Sequence, residues 1–349
     1  MPTPRLLARR TDRIGWTRWG AVVAVLIVFL AAPSLTHLPA RLLAGCPKWI
    51  ALAALLELVS ILGFIASFAL VFGAGMTRRQ SVVGAVRALG ASSVLPAGGV
   101  VGPAIGAGST NPGQKLLSPL VRSAIVFTVL TTGPGVVALA VFGVSLGLGW
   151  PAGPHAAILT LPAAAVAAVL IACFFLLGRP TPPAISPDGR LPGVLRWATD
   201  GARVLREGSA EAGRVLATRN WKLLGALAYY AFDNAVLWAA FRAYGSAPPI
   251  GVIVMGYLVG SLGGVVPAPA GLGAVEGGLI GALVVYGAPA APAAGAVLLY
   301  RGISLGLAVS LSAGAWAAGW PSCPAHRAAR RGRHAAALRA HHWFTRFRG

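Results

Sequence analysis

Apolar residues along this chain come in long, nearly unbroken runs and not in the alternating or heptad-like patterns of soluble strands and helices. Such runs cover about 20–35, 50–74, 121–148, 156–177, 223–244 and 291–318. A bilayer-crossing helix needs ~20 apolar residues. Each run is therefore predicted to be a membrane helix, the first being somewhat short. Two further apolar stretches are interrupted. The segment from Ile250 to Tyr286 carries Gly263, Gly264, Pro267, Pro269, Gly271 and Gly273 at its centre. Each of its arms has about 15 residues, too few to cross. The stretch Ser81 to Ser109 is broken in the same way around VLPAGGVVGPAIGA. Broken backbone at membrane depth is tolerated only inside protein or against a wet cavity. Both stretches are thus predicted to be re-entrant hairpins or discontinuous helices.

Charge supplies the orientation. Arg5, Arg9, Arg10, Arg13 and Arg18 precede the first run, and Arg78, Arg79 and Arg87 fall in a loop after the second. Arg327, Arg330, Arg331, Arg333, Arg339, Arg346 and Arg348 fill the end of the chain without an acid among them. By the positive-inside rule these segments, both termini included, are cytoplasmic. The stretch before the first hairpin then descends while the one before the second ascends. The two halves, about 50–148 and 221–318, are expected to form inverted-topology repeats, a plan common in transporters. Laid ungapped, the hairpins match at Val94/Val265, Pro96/Pro267, Ala97/Ala268, Gly102/Gly273 and Gly106/Gly277. Each is followed by an arginine opening a long apolar run, Arg122 and Arg301.

The expected organisation is a basic N-terminus (1–19), one membrane domain (20–320) and a basic tail (321–349). The polar segment 179–220 interrupts the domain. Its apolar positions Val194, Ala198, Ala202, Leu205, Ala212 and Val215 predict an amphipathic helix lying on the cytoplasmic leaflet.

Composition agrees: 56% of the residues are hydrophobic, 11% are charged and mean hydropathy is +0.75. The chain is an all-α, polytopic membrane protein by class. A net charge of +21 does not indicate nucleic acid, because the basic residues flank apolar runs and are not interleaved with aromatics. Membrane phospholipids are the expected partner of that charge. Self-association into a homo-oligomer is left open, and pairs such as Gly260/Gly264 and Gly98/Gly102 are read as close helix packing. Cys46, Cys173 and Cys323 show no metal or disulfide pattern. The histidines, His37, His155 and four in the tail, are not placed as membrane-embedded bases, and neither P-loop nor nucleophile elbow is present. No enzymatic activity and no cofactor are expected.

Only eight acids occur, and Glu57, Asp233 and Glu276 fall in predicted membrane segments. An intramembrane carboxylate costs about 2.5–3.5 kcal/mol on insertion scales and marks a cavity or a partner. Glu276 suits a first helical turn, where it answers the helix dipole, or a cavity. Arg301 and Arg122 suit either snorkelling to an interface or bidentate binding of a phosphate. Helix N-termini beyond Pro96 and Pro267 offer N–H groups to an anion.

The run Pro269, Gly271, Gly273, Glu276 with the later Arg301 resembles the motif of the lysylphosphatidylglycerol synthase transmembrane-region family, also called flippase-like domain proteins. The likeness spans about residues 15–320. It implies a protein that translocates phospholipid or an aminoacylated or anionic lipid across the bacterial cytoplasmic membrane. With the intramembrane charges and the helix breaks read above, the expected headgroup cavity would use Glu276, Arg301, Asp233, Gly271, Gly273, Pro267, Pro269, Pro96, Arg122 and Glu57. Two departures stand out. Ile105 occupies the position opposite Glu276, so the first hairpin lacks the charge that many members carry, and no soluble aminoacyl-transferase segment is present, so aminoacyl transfer is not expected. The alternatives are a non-transporting scaffold that docks a cytoplasmic partner through the basic tail, and an intramembrane lipid-modifying enzyme.

Overall fold

The computed structural model describes residues 45–95, 98–110, 117–150, 157–179, 193–261 and 273–318. The first apolar run, both terminal basic segments, Pro96, Pro267, Pro269 and Gly271 lie outside the described residues. The described residues form ten α-helices and no strand. Five are long and apolar enough to cross a membrane: α1 (Pro47–Phe72), α4 (Leu117–Gly147), α5 (Ala157–Leu177), α7 (Leu223–Ala243) and α10 (Ala290–Ala317). Each lies within a few residues of its predicted run. Side chains such as Ile158, Val169 and Phe175 on α5 are exposed, as an outward face toward acyl chains requires.

Short helices fill the broken stretches. The first stretch gives α2 (Arg78–Val94) and α3 (Gly98–Thr110), and the second gives α8 (Ile250–Gly260) and α9 (Ala274–Val285). At 1.5 Å per residue α8 and α9 are only about 17 Å long, well short of the ~30 Å hydrocarbon core. Each pair folds back on itself antiparallel. A Cβ on Gly260 would stand 2.5 Å from Leu279 Cα, and one on Gly256 would stand 2.5 Å from Leu283 Cδ2. In the first pair Gly102 abuts Ser92, and Gly106 abuts Gly84 and Ala88. Small residues here let backbones touch, the packing role expected of the glycine pairs. Element order is thus long helix, short antiparallel pair, long helix, and it occurs twice: α1–α4 and α7–α10.

Helices α1 and α7 form the central antiparallel contact. The Cys46 N–H donates to Ala243 O at 2.9 Å, and Ser60 Oγ donates to Tyr229 O at 3.0 Å. The Trp49 and Trp238 rings meet edge to face at 5.4 Å. Gly63 and Gly225 face each other so closely that a Cβ on Gly63 would lie 2.6 Å from Gly225 O.

One expectation needs correction. Arg87 is not in a cytoplasmic loop: it belongs to α2 and is 4% exposed. Thr77 and Gln80 explain why the helix begins so early. The Gln80 N–H donates to Thr77 Oγ1 at 3.3 Å, and the Thr77 N–H donates to Gln80 Oε1 at 2.8 Å, a capping box readable in the sequence as T-R-R-Q. The amphipathic segment forms α6 (Gly193–Ala217). Ala202 and Leu205 are exposed, whereas Gly208, Ser209 and Ala212 are buried. Its C-terminal half lies on protein: Gly208 packs on Ile125, and Ala212 joins Val126 and Leu130 of α4. Ala212 and Val215 of the apolar face read from the sequence thus lie on protein, joined there by Gly208 and Ser209, which a hydrophobic-face count does not see.

Candidate functional site

The antiparallel register of α1 and α7 places Glu57 across from Asp233. Residues 46 and 243, 49 and 238, and 60 and 229 are paired along the same seam. Both carboxylates are buried, at 5% and 7% exposure, and each lies within electrostatic reach of the other. One oxygen of Glu57, Oε2, has no hydrogen-bond partner among the described residues.

Asp233 is held by two tyrosines from other elements. Tyr300 on α10 donates its single hydroxyl proton between the two carboxylate oxygens, at 3.1 and 3.0 Å. Tyr257 on α8 donates to Oδ2. The tyrosine rings also contact one another, Tyr230 with Tyr257 and Tyr257 with Tyr300, edge to face. A buried carboxylate without donors would be strongly unfavourable; hydrogen bonds from two hydroxyls supply part of the lost hydration.

Arg301 follows Tyr300 on α10. Its Nε donates to Glu276 Oε1 at 3.2 Å, and the two side chains are 13% and 7% exposed. The other Glu276 oxygen, Oε2, accepts the Gly273 N–H at 2.8 Å. Gly273 has φ 77°, a backbone region that a side chain disfavours. With glycine there, the chain turns into α9 while its N–H points at the carboxylate three residues on. This is one half of a capping box; the reciprocal bond is impossible because glycine has no side chain. The carboxylate thus caps α9, the first-turn role read from the sequence, and also pairs with a buried cation. Arg301 also lies within electrostatic range of Asp233. Five helices (α1, α7, α8, α9 and α10) therefore deliver Glu57, Asp233, Glu276, Arg301, Tyr257 and Tyr300 to one charged cluster inside an apolar bundle.

Arg122 does not join it. Its Nη2 lies 2.9 Å from Glu211 Oε2 and its Nη1 lies 3.9 Å from Glu207 Oε2, both on α6, with the arginine side chain 42% exposed. It ties the amphipathic helix to the first half. Ile105 is exposed on α3, but the first hairpin does hold a buried charge in Arg87. The Arg87 guanidinium donates to Ala315 O through Nε at 3.3 Å and Nη2 at 3.0 Å and to Ser109 Oγ through Nη1 at 3.5 Å, and it stacks on Trp316 at 4.4 Å. It fastens the α2–α3 pair to the C-terminal end of α10.

Sequence reasoning missed Tyr257, Tyr300 and Arg87. Tyr257 is the sole side chain with a hydroxyl in the run IGVIVMGYLVG, and Tyr300 adjoins Arg301, so polar singletons in apolar arms were the available signal. Among the described residues no group of three or more His, Cys, Asp or Glu is arranged to hold a metal.

None of the curated proteins matches this sequence. A family model does, over residues 19–313, and its description is the lysylphosphatidylglycerol synthase TM region. That span takes in every described element but the last few residues of α10 and, with the five long apolar helices, makes the chain a multi-pass membrane protein of a family connected with lipid handling. The chain belongs to the lysylphosphatidylglycerol synthase transmembrane-region family.

Proposed function

We propose that the chain translocates phospholipid, or an aminoacylated or anionic lipid, across the bacterial cytoplasmic membrane, with both termini on the cytoplasmic side. The observation that carries this reading is the buried Glu276–Arg301 pair at the start of a helix too short to cross. An isolated buried ion pair contributes little to stability, because desolvating two charges offsets their attraction. It is well suited to exchange. A lipid phosphate entering the cluster competes with Glu276 for the Arg301 guanidinium, which binds phosphate with matched planar geometry. Glu276, so displaced, and Asp233 then face a cationic headgroup. The N–H groups opening α9 add positive potential at the same point.

The repeated order of long helix, short antiparallel pair and long helix supports an inverted-repeat transporter in which α2–α3 and α8–α9 are re-entrant. Movement is downhill or ion-coupled. The test is a flip assay with a fluorescent phospholipid in liposomes, comparing the wild type with Glu276→Gln and Arg301→Ala. Slower translocation in both variants is expected. Rates equal to wild type in folded, reconstituted variants reject the site.

A further inference from the structure

An arginine without a carboxylate stands at the head of an apolar groove. Arg242 lies in the last turn of α7, beside the start of α1. It is exposed, and its Cζ lies 5.3 Å from the centre of the Trp49 ring and 5.6 Å from that of Trp238. A cation held over ring faces keeps its N–H edges for other acceptors. Among the described residues those N–H groups meet neither a carboxylate nor any other acceptor. A positive charge at a helix C-terminus offsets the dipole, but that role uses none of the five donors.

The same face of α7 continues below it as hydrocarbon. Leu227, Ala231, Ala235, Trp238 and Arg242 follow one another at spacings of three and four, so they form one stripe along the helix. The first four line a groove of about 390 Å³ between α4, α7 and α8, walled also by Phe142 and Ile250. Leu227 and Ile250 are exposed, so the groove opens toward the bilayer. Tyr230 and Asn234 line it as well, but Tyr230 Oη and Asn234 Oδ1 are buried beneath its surface. From Leu227 to Arg242 the stripe is about 22 Å long at the helical rise. That is half of a bilayer of ~40–45 Å with its headgroups. Trp49 and Trp238 mark the Arg242 end as the headgroup level, where tryptophans concentrate. The charge therefore sits at phosphate depth and the groove at acyl-chain depth. A matching ligand is anionic at one end and hydrocarbon along the rest. Free phosphate leaves the groove empty, and a neutral lipid leaves the guanidinium unanswered.

We propose that α4, α7 and α8 seat a resident phospholipid, its phosphate on Arg242 and one acyl chain along the groove to Leu227. The site is separate from the charged cluster and does not depend on whether the chain moves lipid. The test uses phosphatidic acid and diacylglycerol with identical chains, one chain of each carrying a photoreactive diazirine, so that the two probes differ by the phosphate alone. Each is irradiated with the whole protein in neutral maltoside micelles, where no other phosphate competes, and the labelled peptides are located by mass spectrometry. Phosphatidic acid is expected to label the groove faces of α4, α7 and α8 about ten-fold more than diacylglycerol, the worth of one charge-assisted contact. Arg242→Gln, at an exposed position, should bring the two probes level. Ala231→Trp, also at an exposed position, fills the groove and should abolish labelling there by both. Inorganic phosphate should displace the probe far less than unlabelled phosphatidic acid does, because it has no chain to bury. Equal labelling of the wild type by the two probes overturns the proposal. So does a phosphatidic acid preference that survives Arg242→Gln, labelling that survives Ala231→Trp or avoids these helices, or displacement by inorganic phosphate as effective as by the lipid.

Discussion

Removing Arg301 and Glu276 separately and together distinguishes an interacting pair from two neighbours. At about 4 Å with an effective dielectric of 20, opposite unit charges attract by about 4 kcal/mol. Both side chains are nearly excluded from solvent, at 13% and 7% exposure, so screening by water takes little from that figure. Arg301→Met leaves Glu276 with the Gly273 N–H as its remaining described donor. The uncompensated buried carboxylate should destabilise the protein by about 3–5 kcal/mol. Glu276→Gln is milder, about 1–2 kcal/mol, because the amide oxygen still accepts a bond. In the double variant neither charge remains to be desolvated, so it should be more stable than Arg301→Met alone by about 2 kcal/mol. Thermal unfolding in nanodiscs, read by intrinsic tryptophan fluorescence, gives the three differences. Additivity within about 0.5 kcal/mol would refute the pairing on which the site is built.

Other expectations follow from single positions. Gly273→Ala forces a side chain into φ 77° and should cost about 1–2 kcal/mol in unfolding experiments while slowing lipid movement, because the turn also aims the N–H that holds Glu276. Gly63→Val inserts atoms where even a Cβ would lie 2.6 Å from Gly225 O; α1 and α7 must separate, lowering stability by about 1–3 kcal/mol or more, measurable as a fall in Tm. Arg122→Ala should cost less than about 1 kcal/mol, since its pairs with Glu207 and Glu211 are 33–42% exposed. Proteolysis of the α6 segment should nonetheless become faster in that variant; an unchanged cleavage rate would show that these ion pairs do not hold the helix down.

The Glu276–Arg301 pairing was half legible beforehand. Glycine at 273 and glutamate three residues later are a local pattern that sets a carboxylate in the first turn of α9, and a lone arginine in a distant apolar run is conspicuous. Nothing in the spacing of 276 and 301 says that they meet. Asp233 was conspicuous for the same reason, but its donors were not: one tyrosine lies 24 residues along the chain and the other 67. The Thr77–Gln80 capping box was there to be read, and with it the helical placement of Arg87.

What the sequence by itself determined are the features that depend on neighbours along the chain. Run length decided which helices are long enough to cross, and glycine and proline decided where the two short pairs break. A few isolated charges in apolar runs decided where polar chemistry must occur, because each is too costly there without a purpose. Only the tertiary structure decided which faces meet. A soluble helix announces its inward face by an apolar stripe, but here the surrounding acyl chains are as apolar as the protein interior, so the long helices carry almost no such stripe. Partner choice then rests on glycine contacts such as Gly63 with Gly225, which fix register by shape, and through that register Glu57 comes to lie opposite Asp233. The same shape fit set Gly208 of α6 against Ile125 of α4 and gave Arg122 to the carboxylates of α6, contacts that no count of apolar positions encodes.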